Sequence, residues 1–524
     1  MTGAEEAQDE VVAFLASPAA HGGEARIERI DTHISRIFLA GERALKLKRA
    51  VRFPEGAPIL DFTTVEARRA ACEAEVAVNR RTAPALYLGT APVLRDAAGA
   101  LRLGRPGAAV EDARDWVVVM CRFDQEALLD AMARRGALDA AVLDDLADAV
   151  ARFHEDAERT PDYGGAGAMG AVVSGTTGDL RRFAPAILEA AAVDALAAAL
   201  DEALAANGAL LDARRAAGFV RHCHGDLHLR NICLLDGKPT PFDAIEFNPA
   251  IANIDVLYDL AFLLMDLAHR GMEAAANAVL NRYLAHEGDY GGLAALPLFL
   301  ALRAAIRAQI AATRAEEGGD GEAAEEARAY LALAQRFLAL APPVLVAVGG
   351  LSGSGKSLIA RALAPALGRA PGAVVLRSDV IRKRLMGAAP EARLGADAYA
   401  DEVTGRVYRE IAERAGAVLA SGFSAVADAV HARAAERRAI EDVAAAHGAP
   451  FHGLWLDAPE AVRIERVSGR GRDASDADAG IARRQSSFAL GDIGWSRIDA
   501  SAPPDDVAAS CRRALNLKEK DRRL

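Results

Sequence analysis

The first string of residues that could do chemistry lies at positions 350–357, which read Gly-Leu-Ser-Gly-Ser-Gly-Lys-Ser. It satisfies the phosphate-loop pattern G-x-x-x-x-G-K-[ST] and follows an apolar run, 344–349, that predicts a buried strand. Glycines let consecutive backbone N–H groups turn towards a phosphate chain, Lys356 adds positive charge, and the Ser357 hydroxyl suits Mg²⁺. The string therefore predicts an ATP·Mg²⁺ site, with Ser357 also a metal ligand. Its nucleotide-binding residues are Gly350, Ser352, Gly353, Ser354, Gly355, Lys356 and Ser357.

Two acidic residues of the same region follow predicted strands. Asp379 comes just after the apolar run 374–376 and three residues before Arg382, and Asp428 ends the run 424–427. In open sheets of parallel strands, substrates bind at the carboxyl ends of the strands. Asp379 is predicted to take the proton from an acceptor hydroxyl, Arg382 to orient the acceptor, and Asp428 to hold Mg²⁺ through water. The alternatives are a helix-capping Asp379 with a solvated arginine, and a turn role for Asp428.

Arginines are concentrated in the glycine-bearing segment 463–485. Arginine on a flexible segment suits a lid that closes over a transferring phosphate and neutralises its charge. Arg470 and Arg472, which flank Gly471, are the predicted catalytic residues of this segment, and other arginines there are expected to be ordinary surface charges.

A second constellation lies at 224–231, which read His-Gly-Asp-Leu-His-Leu-Arg-Asn. Asp226 and Asn231 have the spacing of the base and the metal-binding amide in the catalytic loop of protein kinases. A predicted hairpin with a tight turn follows and brings Asp243 back beside Asn231, where both can bind Mg²⁺. The alternative is a polar turn followed by an incidental hairpin.

The region before this loop should supply a lysine for the α- and β-phosphates. Lys46 ends a predicted strand, and Lys48 lies on the same face of it. Lys46 is preferred over Lys48. Its ion-pair partner is expected on the next helix, at Glu75 in preference to Glu73.

The elements that must position these residues fall into two groups. Residues 25–123 alternate apolar runs with turns around one helical stretch, which predicts a small lobe with an antiparallel sheet, and 124–336 read as a helical lobe. Two prolines at 342–343 predict a short stiff linker. Beyond it, strands and helices alternate, which predicts a parallel sheet. We therefore expect one domain over 1–340 and another over 341–524.

Composition narrows the function classes. Hydrophobic residues make up 52% and charged residues 26% of the 524 positions, so an extensively disordered chain is excluded. The net charge of −11 argues against a nucleic-acid coat, although a local basic pocket is compatible with it. The five cysteines are scattered without a CxxC pair, and the acidic first ten residues do not resemble a signal peptide. We expect a reduced, cytoplasmic protein that does not span a membrane.

Residues 344–510 resemble the small P-loop kinases of the nucleoside-monophosphate-kinase type. Asp379 and Arg382 are similar to the Asp-x-x-Arg of polynucleotide 5′-kinases and their gluconate-kinase and zeta-toxin relatives. Residues 25–335, with the H-G-D-x-x-x-x-N string, resemble the aminoglycoside phosphotransferase and choline-kinase branch of the protein-kinase-like fold. The resemblance implies an α+β two-lobed kinase-like domain followed by an α/β P-loop domain.

The resemblance also implies roles for single residues. It gives Asp226 as the catalytic base, Asn231 and Asp243 as Mg²⁺ ligands, and Asp259 as a support of the catalytic loop. In place of the glycine-rich loop of protein kinases, the chain has Asp-Thr-His-Ile-Ser at 31–35, and aminoglycoside phosphotransferases lack that loop as well. Residues 120–123 correspond to the hinge against adenine.

Nearly the whole chain resembles bacterial bifunctional proteins that join these two domains. Further strings that carry this resemblance are Lys-Leu-Lys at 46–48, Asn-Arg-Arg at 79–81, Ala-Ile-Glu-Phe-Asn at 244–248 and Leu-Met-Asp-Leu at 264–267. We expect two ATP·Mg²⁺ sites that phosphorylate hydroxyl groups of small molecules. The alternatives are a regulatory protein with one active domain, and a P-loop domain that acts as a polynucleotide 5′-kinase.

Overall fold

The structure is a computed structural model that describes the chain except residues 1–7, 25, 54–59, 108–109, 111, 390–391, 469–474, 477 and 518–524. It contains two compact units. The first comprises Met1–Ala168 and Asp212–Leu263, and the second comprises Met169–Leu211 and Leu264–Leu524. The units are not divided at residue 341, because the helices over 264–338 group with the P-loop sheet. Independent folding of 341–524 remains a prediction.

The first unit is built on an antiparallel sheet with the strand order β1–β2–β3–β8–β6–β7. The described strands of this unit are β1 (Ile27–Asp31), β2 (Ser35–Ala40), β3 (Arg43–Lys48), β4 (Arg52–Phe53), β5 (Leu60–Asp61), β6 (Tyr87–Arg95), β7 (Leu101–Leu103), β8 (Asp115–Cys121), β9 (Val220–His222), β10 (Ile232–Leu235), β11 (Lys238–Pro241) and β12 (Asn253–Asp255). Every residue of β3 after Arg43 is buried, so both lysines of that strand lie inside the lobe. The antiparallel sheet of the small lobe is confirmed.

The helices of the amino-terminal 338 residues follow the periodicity of the sequence. They are α1 (Asp9–Leu15), α2 (Val65–Asn79), α3 (Leu129–Arg134), α4 (Ala140–Asp156), α5 (Gly165–Arg182), α6 (Ala190–Ala216), α7 (Pro249–Ala252), α8 (Val256–His269), α9 (Glu273–Glu287), α10 (Leu296–Gly318) and α11 (Gly321–Leu338). The Thr64 hydroxyl caps α2 by accepting from the Ala67 N–H, which starts that helix in the position that carries Glu75 inward.

The β10–β11 hairpin is also as predicted. Its two-residue turn has Asp236 at φ 50° and Gly237 at φ 75°, the left-handed pair that matches the twist of a tight hairpin. The hairpin returns the chain towards the loop that precedes it, which is how a residue after β11 can approach Asn231.

The second unit contains a five-stranded parallel sheet with the order β14–β15–β13–β16–β17. Its strands are β13 (Leu345–Gly349), β14 (Val374–Arg377), β15 (Ala425–Asp428), β16 (Phe451–Asp457) and β17 (Ser496–Asp499). The central strand β13 is buried at all five positions, as expected where helices cover both faces. The predicted α/β P-loop fold is therefore confirmed.

One or two helices follow each strand of this sheet. They are α12 (Lys356–Leu363), α13 (Ser378–Leu385), α14 (Asp401–Ala420), α15 (Ala434–Ala446), α16 (Glu460–Ser468), α17 (Ala479–Gln485) and α18 (Pro504–Ala514). Among the described residues, the helical segment Gly291–Gly318 is long and apolar enough to cross a membrane by length and composition alone. However, 72% of its most apolar window is buried, as in the core helix of a soluble protein.

Candidate active sites

The first candidate site is organised around the buried side chain of Lys46. From β3, its Nζ donates to Glu75 Oε1 on α2 at 2.8 Å, and it also contacts Asp243 Oδ1. Burial alone lowers the pKa of Lys46, but the carboxylates of Asp243 and Glu75 outweigh burial and raise it. The structure therefore brings together three of the residues predicted from sequence.

Lys48 belongs to the same network but contacts a different acid. Its Nζ lies 2.5 Å from Glu75 Oε2 and 2.5 Å from Glu246 Oε1, and the side chain is 1% exposed. Glu75 thus bridges both lysines. Burial opposes its ionisation, yet Lys46 and Lys48 lower its pKa to about 2. Glu73, the second choice for this pairing, points to solvent and pairs with Arg69.

The loop at 224–231 is held by hydrogen bonds from both of its ends. The Asn231 amide donates to Asp226 Oδ2 at 2.8 Å and to the Asp226 carbonyl at 3.0 Å. Asp259, fully buried at the start of α8, accepts from the His224 and Gly225 N–H groups at 3.1 and 2.9 Å. The base and amide predicted from their spacing are in direct contact, and Asp259 lies where the resemblance implies.

Histidines support this loop. The His224 Nε2 lies 2.9 Å from the Phe242 carbonyl, and burial lowers the pKa of its ring. His228 Nε2 lies 3.4 Å from Asp226 Oδ2, with its ring packed edge-on against Phe262. His228 thus adjoins the predicted base.

Asp243 is held in an unusual backbone conformation by residues from the small lobe. Its φ is 62°, in the left-handed region that costs energy for a residue other than glycine. Its N–H donates to the Tyr87 hydroxyl at 3.1 Å, and the next N–H, of Ala244, donates to Asn79 Oδ1 at 2.9 Å. The sequence did not predict that Tyr87 and Asn79 hold the backbone at 243–244. The one indication in the sequence was that Asn79 lies one helical turn after Glu75.

The predicted hinge at 120–123 ends β8. Met120 is buried in the small-lobe core, and the Phe123 ring packs edge-on against Phe242, one residue before Asp243, at a centroid distance of 5.2 Å. Contact between this segment and adenine remains a prediction.

The second candidate site begins where β13 ends and α12 starts. Gly350, Gly353 and Gly355 have φ values of 141°, 87° and 91°, which side-chain-bearing residues rarely adopt. A Cβ on Gly353 would lie 2.4 Å from the Arg463 carbonyl oxygen, so only glycine fits there. The Ser352 N–H donates to Gln485 Oε1 at 2.6 Å, and Lys356 Nζ donates to the Leu351 carbonyl at 3.2 Å.

A cavity of about 810 Å³ opens onto this loop and gathers residues from distant parts of the sequence. Strand register explains part of the convergence, because Asp428 pairs with Val348 immediately before the loop. The predicted residues that line the cavity are Ser352, Gly353, Gly355, Lys356, Ser357, Asp379, Arg382 and Asp428. Ser354 is 1% exposed, with its hydroxyl enclosed behind the loop.

Asp379 is an acid of this cavity whose pKa is shifted by its surroundings. Burial, together with the neighbouring charge of Asp428, raises the pKa of Asp379, and a hydrogen bond with Ser475 opposes the rise only in part. Asp428 lies 3.6 Å from the Arg377 Nε. A carboxylate with a raised pKa in a cleft is the type of group that accepts protons in enzymes.

Arg382 lines the cavity, but the protein already binds its guanidinium. Nη1 donates to the Ala398 carbonyl at 2.6 Å and to Thr404 Oγ1 at 3.3 Å, and the group lies 4.7 Å from the Tyr399 ring centre. Arg382 is therefore held in place from several sides, and its contact with an acceptor remains a prediction.

The arginines of segment 463–485 differ in their surroundings. Arg470 and Arg472 lie outside the described residues. Arg463 is 3% exposed and donates to the Ala458 and Ala482 carbonyls, so it fastens helices together rather than facing a ligand. Arg484 lines the cavity.

His431 and Tyr408 were not singled out from the sequence. His431 is fully buried at φ 50°, and burial and the nearby charge of Lys356 lower its pKa to about 3. Its N–H donates to the Tyr408 hydroxyl at 2.9 Å. Only its position three residues after Asp428 could have suggested that it lies near the phosphate loop.

Sequence comparisons with known proteins match either the P-loop region alone or nearly the whole chain. Residues 345–489 match the family described as AAA domain. The chain is 30% identical over 490 residues to the uncharacterized protein Rv2004c of Mycobacterium tuberculosis, covering 92% of this chain and 93% of that protein, and equally similar to a Mycobacterium bovis protein.

Among solved structures, a choline/ethanolamine kinase family protein from Mesorhizobium loti is 16% identical, with a TM-score of 0.40, and the match covers 63% of this chain and 95% of that one. A sugar kinase from Janibacter sp. HTCC2649 is 21% identical, with a TM-score of 0.26, over 34% and 96% of the two chains. The near full-length match to the mycobacterial proteins shows that this chain belongs to their family.

Proposed function

We propose that the protein is an ATP-dependent phosphotransferase with two separate ATP·Mg²⁺ sites, each of which transfers a γ-phosphoryl group to a hydroxyl of a small molecule. The observation that carries the proposal is the cavity in which the phosphate loop faces Asp379 and Asp428. Phosphoryl transfer needs positioned cations, a metal site and a group that receives the acceptor's proton, and these residue types converge there.

The residues of the second site fit a nucleotide and its metal. Gly350, Gly353 and Gly355 adopt the positive φ values that a phosphate loop needs to turn its N–H groups towards a ligand, and Lys356 begins α12, whose N-terminus favours negative charge. Ser357 and Asp428 supply oxygen ligands of the type that Mg²⁺ prefers. Mg²⁺ supplies charge neutralisation on the phosphate oxygens when bound. Asp379 would take the hydroxyl proton, a task that its raised pKa favours.

The first site supports the same class of reaction with different parts. Lys46, fixed by Glu75, is positioned to orient phosphates. Asn231 and Asp243 offer amide and carboxylate oxygens to Mg²⁺, and Asn231 also fixes the carboxylate of Asp226 for proton transfer. Each site thus has its own lysine, its own base and its own metal-binding residues.

The basic groove expected for a polynucleotide acceptor at the second site is not formed by the four cations that the sequence singled out. A polynucleotide would need accessible cations near the cavity, and sequence offered Arg377, Arg382, Lys383 and Arg384. Lys383 is 1% exposed and lies 3.3 Å from Asp476, while Arg384 donates to the Glu287 carbonyl. With Arg377 beside Asp428 and Arg382 on Ala398, all four cations have partners within the protein.

The test is ATP consumption by the full chain against sugars, amino alcohols, nucleosides and aminoglycosides. Each acceptor that stimulates turnover is assigned to a site with the variants Asp226→Asn and Lys356→Ala. We expect one set of acceptors to respond to each variant. If every acceptor responds to the same variant, only one site is active. If neither variant affects turnover, the proposal is wrong.

A further inference from the structure

The strand that leads to Asp379 lies at the edge of its sheet. Among the described strands, β14 pairs only with β15, and beside that pairing the Val374 N–H donates to the Ser424 carbonyl at 2.9 Å. Because alternate residues of a strand point their backbone groups to opposite sides, the Ala373 carbonyl and the Val375 N–H face outward. Unpaired edge groups of this kind attract other strands unless the protein covers them.

A side chain of α9 occupies the position that a sixth strand would take. Asn281 Oδ1 accepts from the Val375 N–H at 2.6 Å, and Asn281 Nδ2 donates to the Ala373 carbonyl at 3.2 Å. In a parallel ladder, one residue donates to the carbonyl before its partner and accepts from the N–H after it. The carboxamide of Asn281 reproduces that pair opposite Val374, because it carries one donor and one acceptor group like a peptide.

Neighbouring contacts fix the carboxamide and the strand. Asn277, one helical turn earlier and 3% exposed, donates to the same Ala373 carbonyl at 3.0 Å, and its Oδ1 accepts from Asn281 at 3.1 Å. Gly372 permits this approach, since a Cβ there would lie 2.9 Å from Asn277 Nδ2 and 2.5 Å from the Ala364 carbonyl. Further along, Arg384 on α13 donates to the Glu287 carbonyl at the end of α9.

The strand held in this way carries the acid side of the second site. β14 ends at Arg377, which lies 3.6 Å from Asp428, and Asp379 is in the first turn of the helix that follows. The phosphate loop, by contrast, follows β13, which is separated from β14 by β15. A shift of β14 would therefore move Asp379 relative to the phosphate loop without changing the loop itself.

We propose that α9 is a working part of the second phosphoryl-transfer site, in which the Asn281 carboxamide substitutes for a sixth strand and positions Asp379. Asn281 is a positioning residue because it acts through β14. The inference rests on the proposed function of the second site for its kinetic consequence, whereas the strand substitution itself can be tested by amide exchange alone.

The test compares Asn281→Leu with Asn281→Asp and with Asn207→Leu in the full chain. Leucine removes both hydrogen bonds, while aspartate keeps an acceptor for the Val375 N–H. Asn207 is a matched control, since its amide donates to the Ala203 carbonyl within its own helix. Relative to the wild-type protein, amide hydrogen exchange at Val375 should be about tenfold faster in Asn281→Leu and unchanged in Asn207→Leu. Exchange in Asn281→Asp should be slower than in Asn281→Leu.

The kinetic arm uses an Asp226→Asn background, so that turnover reports the second site. Asn281→Leu should lower kcat about tenfold with an unchanged KM for ATP, as expected when a proton acceptor is displaced but the phosphate loop is intact. Equal exchange at Val375 in all three proteins overturns the strand substitution. Faster exchange with unaltered kcat overturns the positioning role. Turnover that is already insensitive to Lys356→Ala contradicts the proposed function instead, and the exchange arm still decides the strand substitution.

Discussion

Glu75 in the first site is fully buried and Asp379 in the second lines a cavity, and although each carboxylate lies near a lysine, their pKa values move in opposite directions. Two lysines lower the pKa of Glu75 to about 2, while burial and Asp428 raise that of Asp379. In the first site, cations and anions satisfy each other within the protein. In the second, acids approach each other and the phosphate loop opens onto a cavity.

This difference indicates how each site would respond to ligand. A nucleotide that reaches Lys46 must compete with Asp243 and Glu75 for the ammonium group, so part of the binding energy replaces an internal ion pair. In the second site, a cation held by Asp428 would relieve repulsion that the folded protein already contains. We therefore expect the first site to contribute more to stability without ligand, and the second to gain more from ligand.

The largest expected effect is that of Asp226→Asn on transfer at the first site. Loss of a catalytic base should lower turnover by about 100- to 10,000-fold, while affinity for a fluorescent ATP analogue stays nearly unchanged, because the base contacts the acceptor. Asp243→Asn should instead weaken Mg²⁺-dependent binding of that analogue, since Asp243 lies beside Lys46. If the two variants exchange these phenotypes, the assigned roles are reversed.

Lys356→Ala should reduce nucleotide turnover at the second site by about 100-fold or more, since it removes a charge aimed at the transferring phosphate. Turnover is measured in an Asp226→Asn background, with Lys238→Ala, an exposed lysine in the β10–β11 hairpin, as the control. The circular dichroism spectrum should be the same in all variants. Turnover that survives Lys356→Ala would contradict the phosphate-loop assignment, and turnover lost in Lys238→Ala would show that the assay does not report the loop.

Glu75→Gln tests how much the ion pairs of Glu75 with Lys46 and Lys48 stabilise the first site. Removing this acid leaves Lys46 and Lys48 with fewer partners, so the free energy of unfolding at pH 7 should fall by about 3 kcal/mol. Glu73→Gln on the exposed face of α2 is the matched control, with an expected change within about 0.5 kcal/mol.

The pH dependence of this stabilisation has a defined sign. Because the folded-state pKa of Glu75 is lowered, its contribution is present above the unfolded value of about 4.3 and is lost only as the pH falls towards about 2. The difference between wild type and Glu75→Gln in urea unfolding should therefore be similar at pH 7 and pH 5. A difference already lost at pH 5 would show that the lysines do not stabilise the Glu75 anion.

The sequence was most informative where one backbone motif fixes several residues at once. The phosphate loop, the spacing of Asp226 and Asn231 and the turn at 236–237 each specify local geometry, and the structure has all three as predicted. Glu75 was preferred over Glu73, and the structure places Glu75 on the buried face of α2 and Glu73 on the exposed one. Strand order explains Asp428, since β15 lies beside β13.

Other contacts have no local signature. Tyr87 accepts from the Asp243 N–H and Asn79 from the Ala244 N–H, each across more than 150 positions, and Asn281 meets β14 across 94. The two prolines at 342–343 predicted a domain boundary near residue 341, but the two compact units are not divided there. Adjacent prolines indicate a stiff segment of chain, and they do not indicate which helices pack against the sheet that follows. Arg382 likewise has the spacing of an acceptor-binding residue, and only the structure shows its contacts to Ala398 and Thr404.

The smallest expected change in stability sharpens the comparison most, because it has the opposite sign to that of Glu75→Gln. Asp379→Asn should abolish transfer at the second site and yet raise the melting temperature of the ligand-free protein at pH 7. A carboxyl whose folded-state pKa is raised contributes stability below its unfolded pKa of about 3.9 and loses it as the pH rises through the folded value. Asparagine avoids that loss. In a protein unit of roughly 200 residues, each kcal/mol gained in the free energy of unfolding raises the melting temperature by about 2–4 °C.

Asp442→Asn, on the exposed face of α15, is the control and should leave the melting temperature unchanged. The gap between Asp379→Asn and wild type should narrow as the pH falls from 7 towards the ordinary aspartate range. A destabilised Asp379→Asn protein at pH 7, or a gap that widens in acid, would mean that Asp379 is satisfied like Glu75 and that the two sites do not differ electrostatically.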